Sequence, residues 1–131
     1  MERANKDGAV TPSGILKKQF PDLTPLHVAC LIDKGLPSPD DFFMDKGLDF
    51  RPILSQLVSS ELDVDRMDYL ERDSYFCGTN YGKVDLSWLL ANLTMYDNQG
   101  EIHLGLNRRA LYTFDDFLIS RHHMHLMVYF H

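Results

Sequence analysis

Two sets of side chains recur at a spacing that lets each set act as a unit. Asp65, Tyr69 and Asp73 stand four residues apart in DVDRMDYLERDSYF, and Arg121, His125 and Tyr129 stand four apart in ISRHHMHLMVYFH. On a helix of 3.6 residues per turn such a triplet drifts by only about 80°, so each set shares a face. Carboxylate, phenol and carboxylate suit a cation at one end and a hydroxyl-rich ligand at the other. The competing reading is a solvated face with one half-buried tyrosine. In the second set, arginine offers a planar fork of donors for phosphate oxygens. Histidine donates to another oxygen or moves a proton, and tyrosine gives a flat surface for a base or a sugar. Alone, that stripe also reads as an ordinary charged helix face. Facing each other, the two would set carboxylates for a metal against Arg and His for phosphate, as metal-assisted phosphate-ester hydrolysis requires.

Rival arrangements are weaker. His122, His123 and His125 crowd together, but adjacent helical residues point about 100° apart, which makes threefold ligation of one zinc ion awkward. Asp63-x-Asp65 resembles an acidic pair for Mg²⁺, yet an apolar-periodic helix starts directly after Asp63, which suits an N-cap. Asp68 and Arg72 read as a surface i,i+4 ion pair. Cys30 and Cys77 have no CxxC spacing and read as two small buried apolar residues of a reducing compartment.

The elements that must position these residues are mostly helical. Residues 1–12 read as a loose polar arm, with 13–131 forming one body. Thr24-Pro25 predicts a helix start and Gly35 its stop; Ser38-Pro39 and Gly47 repeat the device. Asp49, Asp63 and Asp85 each predict the cap of a further helix, the one after Asp63 running to about Phe76, with Val64, Met67 and Leu70 turned to a core. Gly78 to Gly82 is a turn. Ile102, Leu104 and Leu106 alternate with polar or small residues after Asp97-Asn98-Gln99-Gly100, which predicts one small β-hairpin. From about Arg109 the period is helical again. The segment LMVYFH has no capping glycine or polar tail, which reads as a truncated helix.

These residues carry a resemblance. The stretch SSELDVDRMDYLERDSYFCGTNYGKVDL resembles the distal aspartate segment of HD-domain phosphohydrolases, nearest their deoxynucleoside-triphosphate triphosphohydrolase-like branch. LYTFDDFLISRHHMHLMVYFH resembles the same branch in the same order, so the likeness spans roughly Pro52 to His131. It implies a mainly α fold: a helical HD-domain core fragment with one small β-hairpin. Asp65 matches the family's last metal-binding aspartate and Arg66 a basic residue near the phosphates. Tyr69 matches the aromatic that packs on the deoxyribose, and Asp73 the carboxylate that bonds its 3′-hydroxyl. Arg121 and His125 match phosphate-contacting positions, and Tyr129 a position near the base. The family also needs an upstream His and an adjacent His-Asp pair; the chain has no His-Asp dipeptide, and His27, the one histidine before Asp65, reads as a core or surface residue.

Bulk properties agree with one globular piece: 131 residues, 44% hydrophobic and 24% charged. A net charge of −6 argues against a duplex nucleic-acid partner, while leaving room for a nucleotide in a locally basic pocket. No apolar run is long enough for a membrane span and the N-terminus has no secretory h-region, so the expectation is a cytoplasmic protein with a nucleotide or deoxynucleotide ligand, no membrane partner and room for homo-oligomer formation. The expected parent is a metal-dependent phosphohydrolase using a divalent metal ion, of which this chain alone is inactive. The alternative is a non-catalytic nucleotide-binding or assembly module lacking the metal centre.

Overall fold

The computed structural model describes residues 11–130. The chain forms two compact units, Met1–Phe42 and Phe43–His131. The arm expected over 1–12 lies outside the described residues except at its end, where Thr11 caps and Pro12 opens the first helix.

The first unit holds α1 (Pro12–Gln19) and α2 (Pro25–Ile32). The start of α2 is the one predicted: Thr24 is the N-cap, Pro25 is the first helical residue, and Thr24 and His27 form a reciprocal capping box. His27 is buried. Its Nδ1 accepts from the Thr24 N–H at 3.0 Å, so Nε2 carries the proton and donates to Asp40 Oδ1 at 3.0 Å, while the ring stacks on Phe42. Histidine here replaces the glutamate of the usual capping box.

Ser38-Pro39 does not open a helix. Ser38 Oγ donates to the Asp40 carbonyl, and Asp40 Oδ1 accepts from the Phe42 N–H at 2.9 Å. Such local side-chain bonds compete with helix formation. The Phe42 N–H, then His27, hold the Asp40 carboxyl below its ordinary range.

The second unit overturns the expected fold class. Over half of the described chain is helical, but it carries a four-stranded mixed sheet, so the fold is mixed α/β and not mainly helical with one small hairpin. The strands are β1 (Met44–Asp45), β2 (Leu48–Asp49), β3 (Leu93–Asn98) and β4 (Glu101–Leu106), in the order β1-β2-β4-β3. The β3–β4 hairpin is the predicted one. The β1–β2 hairpin is the missed one, and it joins the sheet through a parallel Asp49–Glu101 pairing. Both hairpins turn on two residues with positive φ, Lys46-Gly47 (50°, 81°) and Gln99-Gly100 (56°, 92°). That is the geometry of a tight hairpin loop whose twist matches the strands. Gly47 therefore closes a hairpin and does not stop a helix. Two-residue strands are too short to leave a period of two.

α3 (Arg51–Val58) follows the first hairpin. Asp49 accepts from the Arg51 N–H at 2.8 Å, one residue ahead of the formal cap. Gln56 ties α3 to β4 by accepting from the Leu104 N–H at 2.7 Å. α4 (Val64–Phe76) is capped as predicted: Asp63 Oδ1 accepts from the Arg66 N–H at 2.8 Å. α5 (Leu86–Ala91) is capped by Asp85 in the same way. α6 (Leu111–Met124) enters through a short 3₁₀ turn and leaves through a π turn over His125–Tyr129. The core lies between α4, α5 and α6, with Met67, Leu70, Leu89, Phe117 and Met124 buried at its centre. Val64, grouped with Met67 and Leu70 by sequence, stays exposed. Of the two cysteines, Cys30 is buried and Cys77 is exposed, so only the first fits the expected role.

Candidate functional site

α4 and α6 pack against each other, and their polar faces meet at one end of the contact. Met67, Leu70 and Ser74 turn the buried side of α4 inward, which leaves Tyr69 and Asp73 beside α6. Phe117, Ser120 and Met124 do the same for α6, which leaves Arg121, His122 and His125 along the rim. The π turn completes the site. Its i→i+5 bond runs from the Phe130 N–H to the His125 carbonyl at 3.0 Å. A wider turn rotates each residue by less than the α-helix's ~100°. The step from His125 to Tyr129 thus falls short of a full circle, where an α-helix would overshoot, and Tyr129 swings back toward α4.

The result is a cleft of about 350 Å³ lined by Tyr69, Leu118, Arg121, His122, His125 and Tyr129. A shallower extension adds Asp73 to Tyr69, His125 and Tyr129. Five of the seven residues singled out in the sequence therefore converge from two helices: Tyr69, Asp73, Arg121, His125 and Tyr129. The phenols of Tyr69 and Tyr129 meet edge to face at 6.0 Å. Tyr129 donates its hydroxyl to Asp73 Oδ2 at 2.7 Å. Partial burial, and then the Asp73 carboxylate, push the Tyr129 phenol well above its ordinary pKa, so it stays a donor.

The two remaining residues are not in the cleft. Arg66 lies one step away, donating to Glu61 at 3.2 Å and lying 3.5 Å from Asp63. Asp65 is exposed and faces a separate shallow groove with Leu57, Val58, Val64 and Asp68. Asp68 is itself paired with Arg72. Among the described residues no three His, Cys, Asp or Glu side chains gather to hold a metal ion. The divalent metal implied by the resemblance does not fit this chain's own residues: Asp65 would be a lone ligand, and one carboxylate does not hold such an ion usefully.

No protein-family model matches the chain. It is 40% identical over 89 residues to an uncharacterized protein of Mycoplasma genitalium, covering 66% of this chain and 21% of that protein. It is 36% identical over 86 residues to an uncharacterized protein of Methanocaldococcus jannaschii, covering 66% of this chain and 19% of that one. The chain thus spans about a fifth of the length of these curated relatives. Among solved structures, a hypothetical protein from Aquifex aeolicus is similar over 93% of this chain and 30% of its own, with a TM-score of 0.65 and 31% identity.

Sequence reasoning missed Glu61. This residue stands between α3 and α4 and accepts hydrogen bonds from both Arg66 and Arg121. Its distance in sequence from Arg121 leaves no periodic signal, and only the fold brings the two together. The Arg121 guanidinium, with Arg66 in support, holds the Glu61 carboxyl below its ordinary pKa of 4.5. The cleft's arginine and its carboxylate are thus each partnered inside the chain: Arg121 by Glu61, and Asp73 by Tyr129.

Proposed function

We propose that this chain is part of an HD-type phosphohydrolase acting on nucleotides, similar to the dNTP triphosphohydrolases, and that it supplies the wall that holds the nucleotide. The observation that carries this reading is the convergence of Tyr69 and Asp73 from α4 with Arg121 from α6 and His125 and Tyr129 from the π turn that follows it, at one cleft. Aromatic faces and a carboxylate at one end suit a deoxyribose and its hydroxyl. Tyr129, now donating to Asp73, occupies the place a sugar hydroxyl would take. Arg121 and His125 at the other end suit phosphate oxygens and would offset charge developing on phosphorus.

The metal chemistry of such an enzyme would need ligands beyond this chain, with Asp65 contributing one. The chain by itself is then a binding wall without catalysis. No helix among its described residues is long and apolar enough to cross a membrane, and the proposed setting is the cytoplasm, where nucleotides are held. The second reading is a nucleotide-binding or assembly module that kept the cleft's ligand face and lost the metal centre; the cleft is lined without Asp65, which faces a separate groove.

Calorimetric titration of dATP into the chain with EDTA present tests the shared part. Binding is expected, weakened about ten- to a hundredfold in Arg121→Ala, the usual worth of a hydrogen bond to a charged group. Affinity indifferent to Arg121→Ala and Tyr69→Ala would remove the cleft from consideration. Metal-dependent release of phosphate by the chain alone would overturn the assignment of catalysis to ligands elsewhere.

A further inference from the structure

Arg121 already holds an anion, and that anion is a side chain of the same unit. Glu61 accepts through a single oxygen, Oε2, from Nη1 of Arg121 and from Nη1 of Arg66. Two guanidinium groups thus converge on one carboxylate oxygen, each through a single Nη1 and not through the two-point fork an arginine can offer a phosphate. Packing does not hold the carboxylate there, since the Glu61 side chain is 66% exposed. Charge does, and the same charge keeps Glu61 ionised at neutral pH.

Glu61 also has somewhere to go. It stands at the open mouth of a neighbouring cavity of about 260 Å³, beside the polar Gln56 and Ser60, with Leu62, Leu104, Leu106 and Phe114 deeper in, so its carboxylate can turn toward solvent at that mouth. A rotation of the side chain away from Arg121 toward solvent would release Arg121 to the cleft without disturbing α4, whose cap is Asp63 and not Glu61.

We propose that Glu61 is a specificity-determining residue at the Arg121 cleft: a resident carboxylate that an incoming anion must displace, so that the cleft favours polyphosphate chains over single phosphates. This rests on reading the cleft as a phosphate site. A lone phosphate replaces Glu61 with little more than Glu61 already supplies. A triphosphate chain brings oxygens enough to meet Arg121 and also reach His122 and His125 on the same rim. Orthophosphate has only Arg121 to gain and bears the whole displacement, whereas a triphosphate chain anchored on His122 and His125 can share Arg121 with Glu61 and bears less of it, so the carboxylate costs the shorter anion more.

Calorimetric titration of inorganic triphosphate and orthophosphate, with EDTA present, tests this on the wild-type chain and three variants. Glu61→Gln should tighten both anions, orthophosphate more, so that the preference for triphosphate shrinks by about two- to fivefold, the range expected for losing exposed ion pairs. Glu61→Ala, which removes the amide as well, should do at least as much. Asp68→Asn removes a charge from α4 where it faces Arg72, and should change nothing. If Glu61→Gln and Glu61→Ala bind no more tightly than wild type, or if Asp68→Asn tightens binding equally, the inference fails while an Arg121-dependent cleft stands. If neither wild type nor Glu61→Gln binds triphosphate, the phosphate site itself fails and the inference with it.

Discussion

Gly82→Ala should be among the most damaging small substitutions in this chain, and the reason is not backbone conformation. A Cβ at residue 82 would lie 2.5 Å from the Leu70 carbonyl oxygen and 2.7 Å from Ser74 Cβ. Carbon and carbonyl oxygen approach no closer than about 3.3 Å even in weak hydrogen bonds, so the 78–82 turn would have to retreat by roughly 1 Å. That movement breaks the 3.3 Å bond from the Gly82 N–H to Ser74 Oγ and strains the 2.8 Å bond from Ser74 Oγ to the Thr79 carbonyl. Overpacking of this kind costs about 1–3 kcal/mol, and each hydrogen bond lost adds about 1 kcal/mol, so a loss of about 2–5 kcal/mol is expected. Gly78→Ala is the control. Its φ is +65° but no atom lies within 4 Å of the added Cβ, leaving only the left-handed penalty of about 1–2 kcal/mol. Urea unfolding followed by the fluorescence of Trp88, the one tryptophan, measures both. A Gly82→Ala loss no larger than that of Gly78→Ala would refute the close-approach argument.

Three further outcomes follow from the packing and the charges. Phe117 is fully buried at the centre of the core, so Phe117→Ala should cost about 3–5 kcal/mol in the same urea assay. Asp63 accepts from the Arg66 and Ser60 N–H groups while buried; Asp63→Ala should cost about 1–2 kcal/mol, the usual worth of a helix cap, with the loss visible as reduced α4 protection in hydrogen exchange. Alkaline titration by phenolate absorbance should show one of the six tyrosines ionising after the rest, and Tyr129→Phe should remove that late step. The folded state holds the Tyr129 proton more tightly than the unfolded chain does. Its contribution to stability is therefore complete below the unfolded phenol's pKa near 10.0 and is lost as pH rises through the raised folded value.

The parts of the fold that were legible share a cause: local chemistry that a few adjacent residues complete. Thr24-Pro25, Asp63 and Asp85 each cap a helix with a bond that spans three residues. Asn98-Gln99-Gly100 closes a hairpin whose strands are six residues each, long enough to alternate. Ser38-Pro39 looked identical to Thr24-Pro25, but Asp40 captured the Phe42 N–H and the chain turned instead of coiling. Lys46-Gly47 carried the only local sign of the second hairpin, a glycine where positive φ is needed, and strands of two residues could add nothing to it. The parallel pairing of β2 with β4 joins residues that are distant in sequence, and no period records it. Those two features together moved the architecture from mainly helical to mixed α/β.

The site shows the same division with a different consequence. Spacing of four placed Tyr69 with Asp73, and Arg121 with His125, because each pair sits within one helix. It could not say that the faces meet, and it placed Asp65 with Tyr69 on a drift of about 40° per step that is enough to carry Asp65 out of the cleft to the groove beside Asp68. Nor could it see that Tyr129 reaches Asp73 through a π turn. What the three-dimensional arrangement adds is opposition within the polar face: the cation faces Glu61 and the carboxylate faces a phenol. Pairing Arg121 with Glu61 and Asp73 with Tyr129 keeps both charged groups partnered while the cleft is empty, since unpaired polar groups at a half-buried helix contact are costly. On the proposed reading, binding would be an exchange of partners, and discrimination between ligands would be set by what each returns to Arg121 and Asp73 beyond what Glu61 and Tyr129 already give.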